Sequence, residues 1–373
     1  MSDEIPEPDA LPGAPHPRMV ETVFGQSNAE QTFLETYAAG RVHHAWLISG
    51  PRGVGKATLA WRIARFLLAE PPKDGGLFGE TPAPATLDTD QEHPVVRRTR
   101  ALSEPRLFLL RRGWDDKTKR LRAEITVDET RKLHGFFAMS APDGGRRVVI
   151  VDAADEMNVS AANAILKLLE EPPANATLLL VCHRPARLLP TIRSRCRELR
   201  CAPLLPQDVA DALAQAGMDQ TDAALAELAG GSAGVALSLA AEDGARLYAD
   251  IMDLVATAPA MDRNRATKLA DSAAGRGKEA RRDLILYLLD THLARLAKAG
   301  TGAPPAIDAA PGETAHLLRL SPDPSAARRW AALQQELSDR AGHGLAVNLD
   351  PSSLILDMVL SINESAAAIL SRH

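Results

Sequence analysis

The chain is poor in aromatic residues and in cysteine. Phe, Trp and Tyr together make up 4% of its 373 residues. The four tryptophans, Trp46, Trp61, Trp114 and Trp330, are scattered. They lack the rhythm of a base-stacking platform for single strands and read mostly as packing residues. Three cysteines occur, Cys182, Cys196 and Cys201, with no C-x-x-C pair. A structural zinc site is therefore not expected, and an odd, sparse set suits inert thiols in a reducing compartment. No apolar stretch reaches the roughly 18 residues of a membrane span, so no membrane partner is expected. The opening residues lack the basic start and apolar core of a signal peptide, which leaves a cytoplasmic location as the expectation. Acidic and proline-rich (Pro6, Pro8, Pro12, Pro15, Pro17), residues 1–18 are expected to form a disordered lead-in. A strong positive charge is also missing. The formal net charge is −5, which excludes a free-standing nucleic-acid binder by bulk electrostatics.

What remains is an ordinary globular composition, 45% hydrophobic and 24% charged, with alanine and leucine favouring helices. The length allows two or three domains. Helical spacing runs from Asn28 to Ala39, with Phe33, Leu34, Tyr37 and Ala38 on one face. A short buried-strand run, Ala45–Ile48, leads into a glycine loop, and Leu59–Leu68 reads as a helix. Residues 71–105, rich in Pro, Gly, Thr and Asp, read as a loop excursion. Leu107–Leu110 and Ala123–Val127 read as strands around a charged turn, and Val127–Met139 as a helix. Val148–Val151 and Leu178–Val181 are buried strands separated by a helix over Ser160–Glu171, which Pro172-Pro173 stops. Strands alternating with helices predict a parallel α/β sheet. After Pro203 only helical patterning is left, with breaks at Gly217, Gly230-Gly231 and a loop over Gly302–Gly312.

The glycine loop reads Gly50-Pro51-Arg52-Gly53-Val54-Gly55-Lys56-Ala57-Thr58. The pattern G-x-x-x-x-G-K-[ST] cradles phosphates through backbone N–H groups and a lysine, and its hydroxyl holds Mg²⁺. Gly50, Gly53, Gly55 and Lys56 are present, but Ala57 stands where the hydroxyl belongs, unless Thr58 replaces it. Asp152, at the end of the strand Val148–Val151, sits where a Walker B aspartate positions metal. The next residue is Ala153, whose methyl group can neither polarise water nor accept a proton. Asp155 and Glu156 follow closely but are expected to open the next segment. Blander readings stand beside these: a structural strand-to-helix turn for the loop, and a capping residue for Asp152.

A longer constellation narrows the choice. Asn163-Ala164-Ile165-Leu166-Lys167-Leu168-Leu169-Glu170-Glu171-Pro172-Pro173 resembles the N-A-L-L-K-x-L-E-E-P-P signature of clamp-loader ATPases of the AAA+ class. Ser194-Arg195-Cys196 matches their S-R-C motif, and Phe24-Gly25-Gln26 and His43–Gly55 resemble their opening region. The resemblance covers about residues 20–245 well and the last third loosely. It implies an AAA+ α/β domain with a parallel sheet (19–203), a helical lid (204–245) and an all-α collar for oligomerisation (246–373). It also implies that Arg195 reaches across a subunit interface to a neighbour's ATP. The blander reading of Arg195 is a surface arginine near a helix end.

The departures point to the stationary, non-hydrolysing kind of loader subunit. Ala57 and Ala153 replace the metal hydroxyl and the catalytic glutamate. Gly234, in Gly231–Leu237, replaces the sensor-2 arginine, and Cys182-His183 stand where active subunits carry threonines. The family's four-cysteine zinc module is missing, with residues 71–105 in its place. No cofactor is required on this reading, and ATP or ADP binding at Gly50, Gly53, Gly55, Lys56, Thr58 and Asp152 is doubtful. The implied partners are gamma/tau and delta loader subunits and, through them, the sliding clamp and primed DNA. Two alternatives stay open: an active gamma/tau-type subunit in which Thr58 and Glu156 substitute for the lost groups, and a nucleotide-independent scaffold outside replication. The basic stretch Arg97–Arg122 reads as a solvated hairpin face or as a contact for DNA or an acidic partner.

Overall fold

The computed structural model describes residues 7–11, 14–40, 42–70, 84–118, 120–138, 145–218, 223–275, 277–347 and 349–371. The chain divides into two compact units, Met1–Gly217 with Gly231–Gly234, and Met218–Gly230 with Val235–His373.

The first unit runs α1 (Ser27–Ala38), β1 (Ala45–Ser49), α2 (Lys56–Ala69), α3 (Pro94–Arg100), β2 (Leu107–Arg111), the two-residue strands β3 (Trp114–Asp115) and β4 (Arg120–Leu121), α4 (Val127–Ala138), β5 (Arg147–Asp152), α5 (Val159–Glu170), β6 (Ala176–Cys182), α6 (Pro190–Arg193), β7 (Arg197–Arg200) and α7 (Pro206–Gln215). Five strands form one parallel sheet in the order β2-β5-β6-β1-β7. β1 and β6 are buried along their whole length, as a sheet covered on both faces requires. Alternation sorts their side chains. Trp46 and Ile48 pack with Phe33 of α1 and Leu59 and Ile63 of α2. Ala45 and Leu47 pack with Leu133 of α4 and Ile165 of α5 on the opposite face. This is the parallel α/β architecture that the alternation of strands and helices predicted.

The register fixes one functional edge. Arg111 pairs with Asp152, Asp152 with Val181, and Ser49 with Cys182. The ends of β2, β5, β6 and β1 thus meet where the glycine loop leaves β1.

Three expectations change in this unit. The lead-in, expected to be disordered over residues 1–18, is ordered over residues 7–11 and 14–18. Arg18 bonds Glu7 at 2.6 Å, His16 meets the Trp61 ring edge-on, and Arg65 donates to the carbonyls of Arg18 and Val20. Composition predicted disorder because it cannot register charges supplied from elsewhere in the chain. The excursion 71–105 falls partly outside the described residues, yet its later part carries α3, with Val95, Val96 and Thr99 buried. Ala123–Val127 is not a strand. Ile125 makes a lone parallel bridge to Met157, and Val127 opens α4. Burial of the single side chain Ile125 accounts for the apolar alternation that suggested a strand.

The second unit is helical: α8 (Ala223–Ala229), α9 (Ala233–Ala241, whose first two residues belong with the first unit), α10 (Gly244–Val255), α11 (Arg263–Asp271), α12 (Glu279–Ala299), α13 (Glu313–Leu320), α14 (Pro324–Ala346) and α15 (Pro351–Leu370). Asp262, Asp323 and Asp350 cap α11, α14 and α15 by accepting from their first backbone N–H groups. α15 corrects the expectation that no segment is membrane-length. It is long and apolar enough to cross a membrane, because Asp357 and Glu364 interrupt its apolar run without breaking the helix. In the fold its stripe of Leu354, Ile355, Met358, Val359, Ile362, Ala366 and Ile369 is buried, and it packs on α11 and α14. The buried carboxylate of Glu313 is fully engaged, by Tyr248 (2.5 Å), Arg295 (2.7 Å) and the Ala309 N–H (2.7 Å).

Candidate functional site

The glycine loop has the backbone of a phosphate cradle. Gly53 and Gly55 take positive φ (78° and 95°), which only glycine adopts cheaply, and Gly55 leads directly into α2. Gln26, from the Phe24-Gly25-Gln26 motif, ties the loop down. Its amide donates to the carbonyls of Val54 (3.0 Å) and Ala202 (2.9 Å) and accepts from the Ala202 N–H.

Inside that cradle the groups are turned toward the protein. Lys56 is 3% exposed. Its ammonium donates to the carbonyls of Gly50 (2.8 Å) and Pro51, and burial lowers its pKa to about 8. The Ser232 hydroxyl donates to the Arg52 carbonyl (2.9 Å) and the Gly234 N–H to the Gly53 carbonyl (2.9 Å). A Cβ at Gly234 would lie 2.8 Å from the Gly53 Cα. The glycine is thus required by close approach, and an arginine there would displace the loop. Ala57 offers no oxygen. Thr58, half-buried, lies one residue further along α2, a turn of about 100° away from the direction Ala57 faces. As arranged, these groups do not suit a magnesium nucleotide.

Asp152 is 8% exposed. Burial, with Asp9 and Glu156 nearby, raises its pKa to about 7. The two acids that follow are already committed. Asp155 accepts from the backbone N–H groups of His183 (2.8 Å) and Arg184 (3.2 Å). Glu156 pairs with Arg112 at 2.9 Å. Ala153 is buried. Cys182 ends β6 beside this corner, and burial holds its thiol up at about 12 and the His183 imidazole down at about 4. Cys196 and Cys201 are likewise free thiols raised by burial.

Arg195 lies apart from this corner, in the turn between α6 and β7, and its side chain is 35% exposed. One guanidinium nitrogen donates to the Thr191 carbonyl (2.9 Å) and another pairs with Glu170 (2.9 Å) at the end of α5. The Asn163–Pro173 signature and the S-R-C motif therefore meet through one ion pair. Sequence reasoning gave Glu170 no separate role, although its place inside the motif was the available signal. Asp9 was missed, because nothing local marks it; Arg111 and Ser232 stood inside the basic stretch and the Gly231–Leu237 motif, but without the partners the fold gives them.

The basic stretch Arg97–Arg122 is largely neutralised from within. Arg98 and Arg106 pair with buried Glu104 (2.7 and 2.9 Å), Arg100 with Glu21 (2.9 Å), Arg111 with Glu7 and Asp9, and Arg112 with Glu156. Over most of its length the stretch is not the solvated hairpin face of the blander expectation, because it carries α3 and β2 and only β3 and β4 form a hairpin; Lys119 lies outside the described residues.

Comparison with known proteins agrees with the constellation. The family described as "DNA polymerase III, delta subunit" matches residues 25–204. The DNA polymerase III subunit delta' of Pseudomonas aeruginosa is 40% identical over 212 residues, 56% of this chain and 58% of that protein. That of Escherichia coli is 33% identical over 211 residues, again 56% and 58%. The chain thus spans somewhat more than half the length of these relatives. Subunit tau of Salmonella typhimurium is 31% identical over 48% of this chain and 25% of its own length. A solved gamma-subunit-related protein of Thermotoga maritima aligns with 90% of this chain and 99% of its own at 19% identity and a TM-score of 0.38. That score is too low to bear on the fold, which rests on the sheet order above. Residues 25–204 are thus similar to the DNA polymerase III delta-subunit family, and over somewhat more than half its length the chain is similar to the delta-prime subunits.

Proposed function

We propose that this chain is the non-hydrolysing delta-prime subunit of a DNA polymerase III clamp loader, in the cytoplasm, and that it supports loading of the sliding clamp onto primed DNA. Its contribution is a scaffold and Arg195, offered in trans to ATP held by a neighbouring gamma/tau-type subunit. The contrast within one domain carries this reading: the chain's own phosphate corner is turned inward, while the S-R-C arginine is held at the surface. An arginine is always charged and presents a planar fork that matches phosphate oxygens. The proposal includes a lid over residues 204–245, a collar over residues 246–373 that joins gamma/tau and delta subunits, and a corner that requires no nucleotide.

The likeness to tau keeps the active-subunit alternative in view. The commitments of Asp155 to backbone amides and of Glu156 to Arg112 speak against it, since neither carboxylate is left to activate water. Two measurements separate the readings. The purified chain should show no ATP turnover that Lys56→Ala abolishes. Mixed with loader subunits it should enter a defined complex, and a chain ending near residue 245 should remain outside it. Turnover by the isolated chain, or full assembly by the shortened one, would refute the corresponding part.

A further inference from the structure

The edge of the sheet where a nucleotide would meet Asp152 is occupied by the chain itself. Residues 7–11 cross it. The Asp9 side chain is 1% exposed and pairs with Arg111, the last residue of β2, which is the register partner of Asp152 on the adjacent strand. Glu7 takes a second bond from Arg111 (3.1 Å) and one from Arg18 (2.6 Å), and the Pro8 carbonyl lies 3.5 Å from Arg112. His16 stands 3.3 Å from the Asp9 carboxylate on its other side. Leu11 completes the crossing. One of its methyl groups lies 2.9 Å from where a Cβ on Gly234 would stand, beside the Gly53–Gly234 contact that closes the glycine loop.

We propose that residues 7–11 are an intramolecular plug of the phosphate corner, with the Asp9 carboxylate on Arg111 standing where a ligand's negative charge would otherwise collect. The physical argument has three parts. A buried carboxylate is retained only where a cation and hydrogen bonds compensate it, and Arg111 supplies both to Asp9. Two anions cannot share the small volume beside Asp152, so a phosphate must displace Asp9 before it can enter. Leu11 adds apolar contact on the loop side, and an apolar group over the cradle removes the water and space a polyphosphate needs. The plug acts separately from the missing hydroxyl at Ala57. A chain that regained the hydroxyl would still be closed.

The test uses that separation. Four chains are compared: wild type, Ala57→Thr, Ala57→Thr in a chain starting at residue 14, and full-length Ala57→Thr with Asp9→Lys and Leu11→Glu. The last guards against misfolding of the shortened chain, since it expels the plug without removing it. Amide hydrogen exchange over residues 50–56 gives the first readout. It should speed up at least tenfold in both opened chains and stay unchanged in the closed ones. Titration with a fluorescent N-methylanthraniloyl ATP and Mg²⁺ gives the second. Both opened chains should bind at least tenfold more tightly than full-length Ala57→Thr. Equal exchange in all four chains would overturn the proposal by showing that nothing covers the loop. Tight binding by closed Ala57→Thr would overturn it, and so would failure of the opened chains to bind, because the loop rather than the plug would then be what keeps nucleotide out.

Discussion

The phosphate corner and the turn that carries Arg195 belong to the same α/β unit, yet they treat charge in opposite ways. At the corner, Lys56 and Asp152 are buried, as is the Asp9 side chain; Lys56 is answered by the carbonyls of its own loop and Asp9 by Arg111, while burial holds Asp152 toward its neutral form. On that turn Arg195 is one-third exposed and, among the described residues, pairs with one carboxylate, itself half exposed. A buried charge must be compensated internally, and releasing it costs its desolvated partner as well. A surface pair is held by a net ~0–1 kcal/mol, so its arginine can change partner at little cost. The comparison teaches that a charge's availability for chemistry is set by its burial and not by its presence in a motif.

Removing the available charge should have the largest effect. Arg195→Ala in a reconstituted loader is expected to lower DNA- and clamp-dependent ATP hydrolysis at the facing site by about 10³-fold. Its melting temperature should hardly move, and Arg195→Lys should recover only part of the rate because a point charge lacks the fork. A wild-type rate from the alanine complex would leave the turn with no chemical role.

The next prediction concerns the corner and is one of pH. The folded pKa of Asp152, about 7, lies above its unfolded value of 3.8. The folded state therefore holds the extra proton, and the cost of ionising this buried group is absent below pH ~4. It grows between pH ~4 and 7 and is complete above 7. Asp152→Asn keeps the neutral shape, so it should stabilise the first unit by ~2–3 kcal/mol at pH 8 and by almost nothing at pH 4. Urea unfolding at the two pH values checks this, and a gain independent of pH would mean that the carboxyl is not held neutral.

Restoring the sensor position should damage the fold and return no activity. Gly234→Arg places a Cβ 2.8 Å from the Gly53 Cα, and overpacking of this kind costs ~1–3 kcal/mol. Denaturation midpoints measure the loss. A neutral Gly234→Arg chain would show that the glycine contact is not tight.

The smallest effect is expected at Glu170. Glu170→Gln should cost no more than ~1 kcal/mol, since the pair lies at the surface with its two side chains one-third and one-half exposed. In the assembled loader it should change hydrolysis at the facing site several-fold, far less than Arg195→Ala, with Glu170→Asp closer to wild type. If Glu170→Gln matched Arg195→Ala, the pair itself would be the functional unit and the contrast between weakly and strongly held charge would fail.

The helices and the central strands were legible because they rest on local pattern. α1, α2, β5 and α5 appear within a few residues of where periodicity put them. Ala123–Val127 misled because one buried residue, Ile125, imitates the alternation of a strand. The membrane-length character of α15 was hidden by Asp357 and Glu364. At the candidate site the motif residues were legible, but the partners that define their state were not. Arg111 and Asp9 are 102 positions apart in sequence, and no window of local sequence connects them.

The sequence by itself determined the parallel α/β domain, the phosphate-loop backbone, the absent groups at Ala57 and Ala153 and the retained Arg195. These are matters of side-chain identity and of periods of 2 and 3.6 residues, which act locally. Only the tertiary structure decided where the charges go. The strand order sets Arg111 opposite Asp152, brings Asp9 onto Arg111, turns Lys56 onto its own loop and leaves Arg195 on Glu170 at the surface. The physical reason is that burial and ion pairing depend on which distant segments the sheet brings together, and desolvation then fixes which of the resulting charges remain free to act.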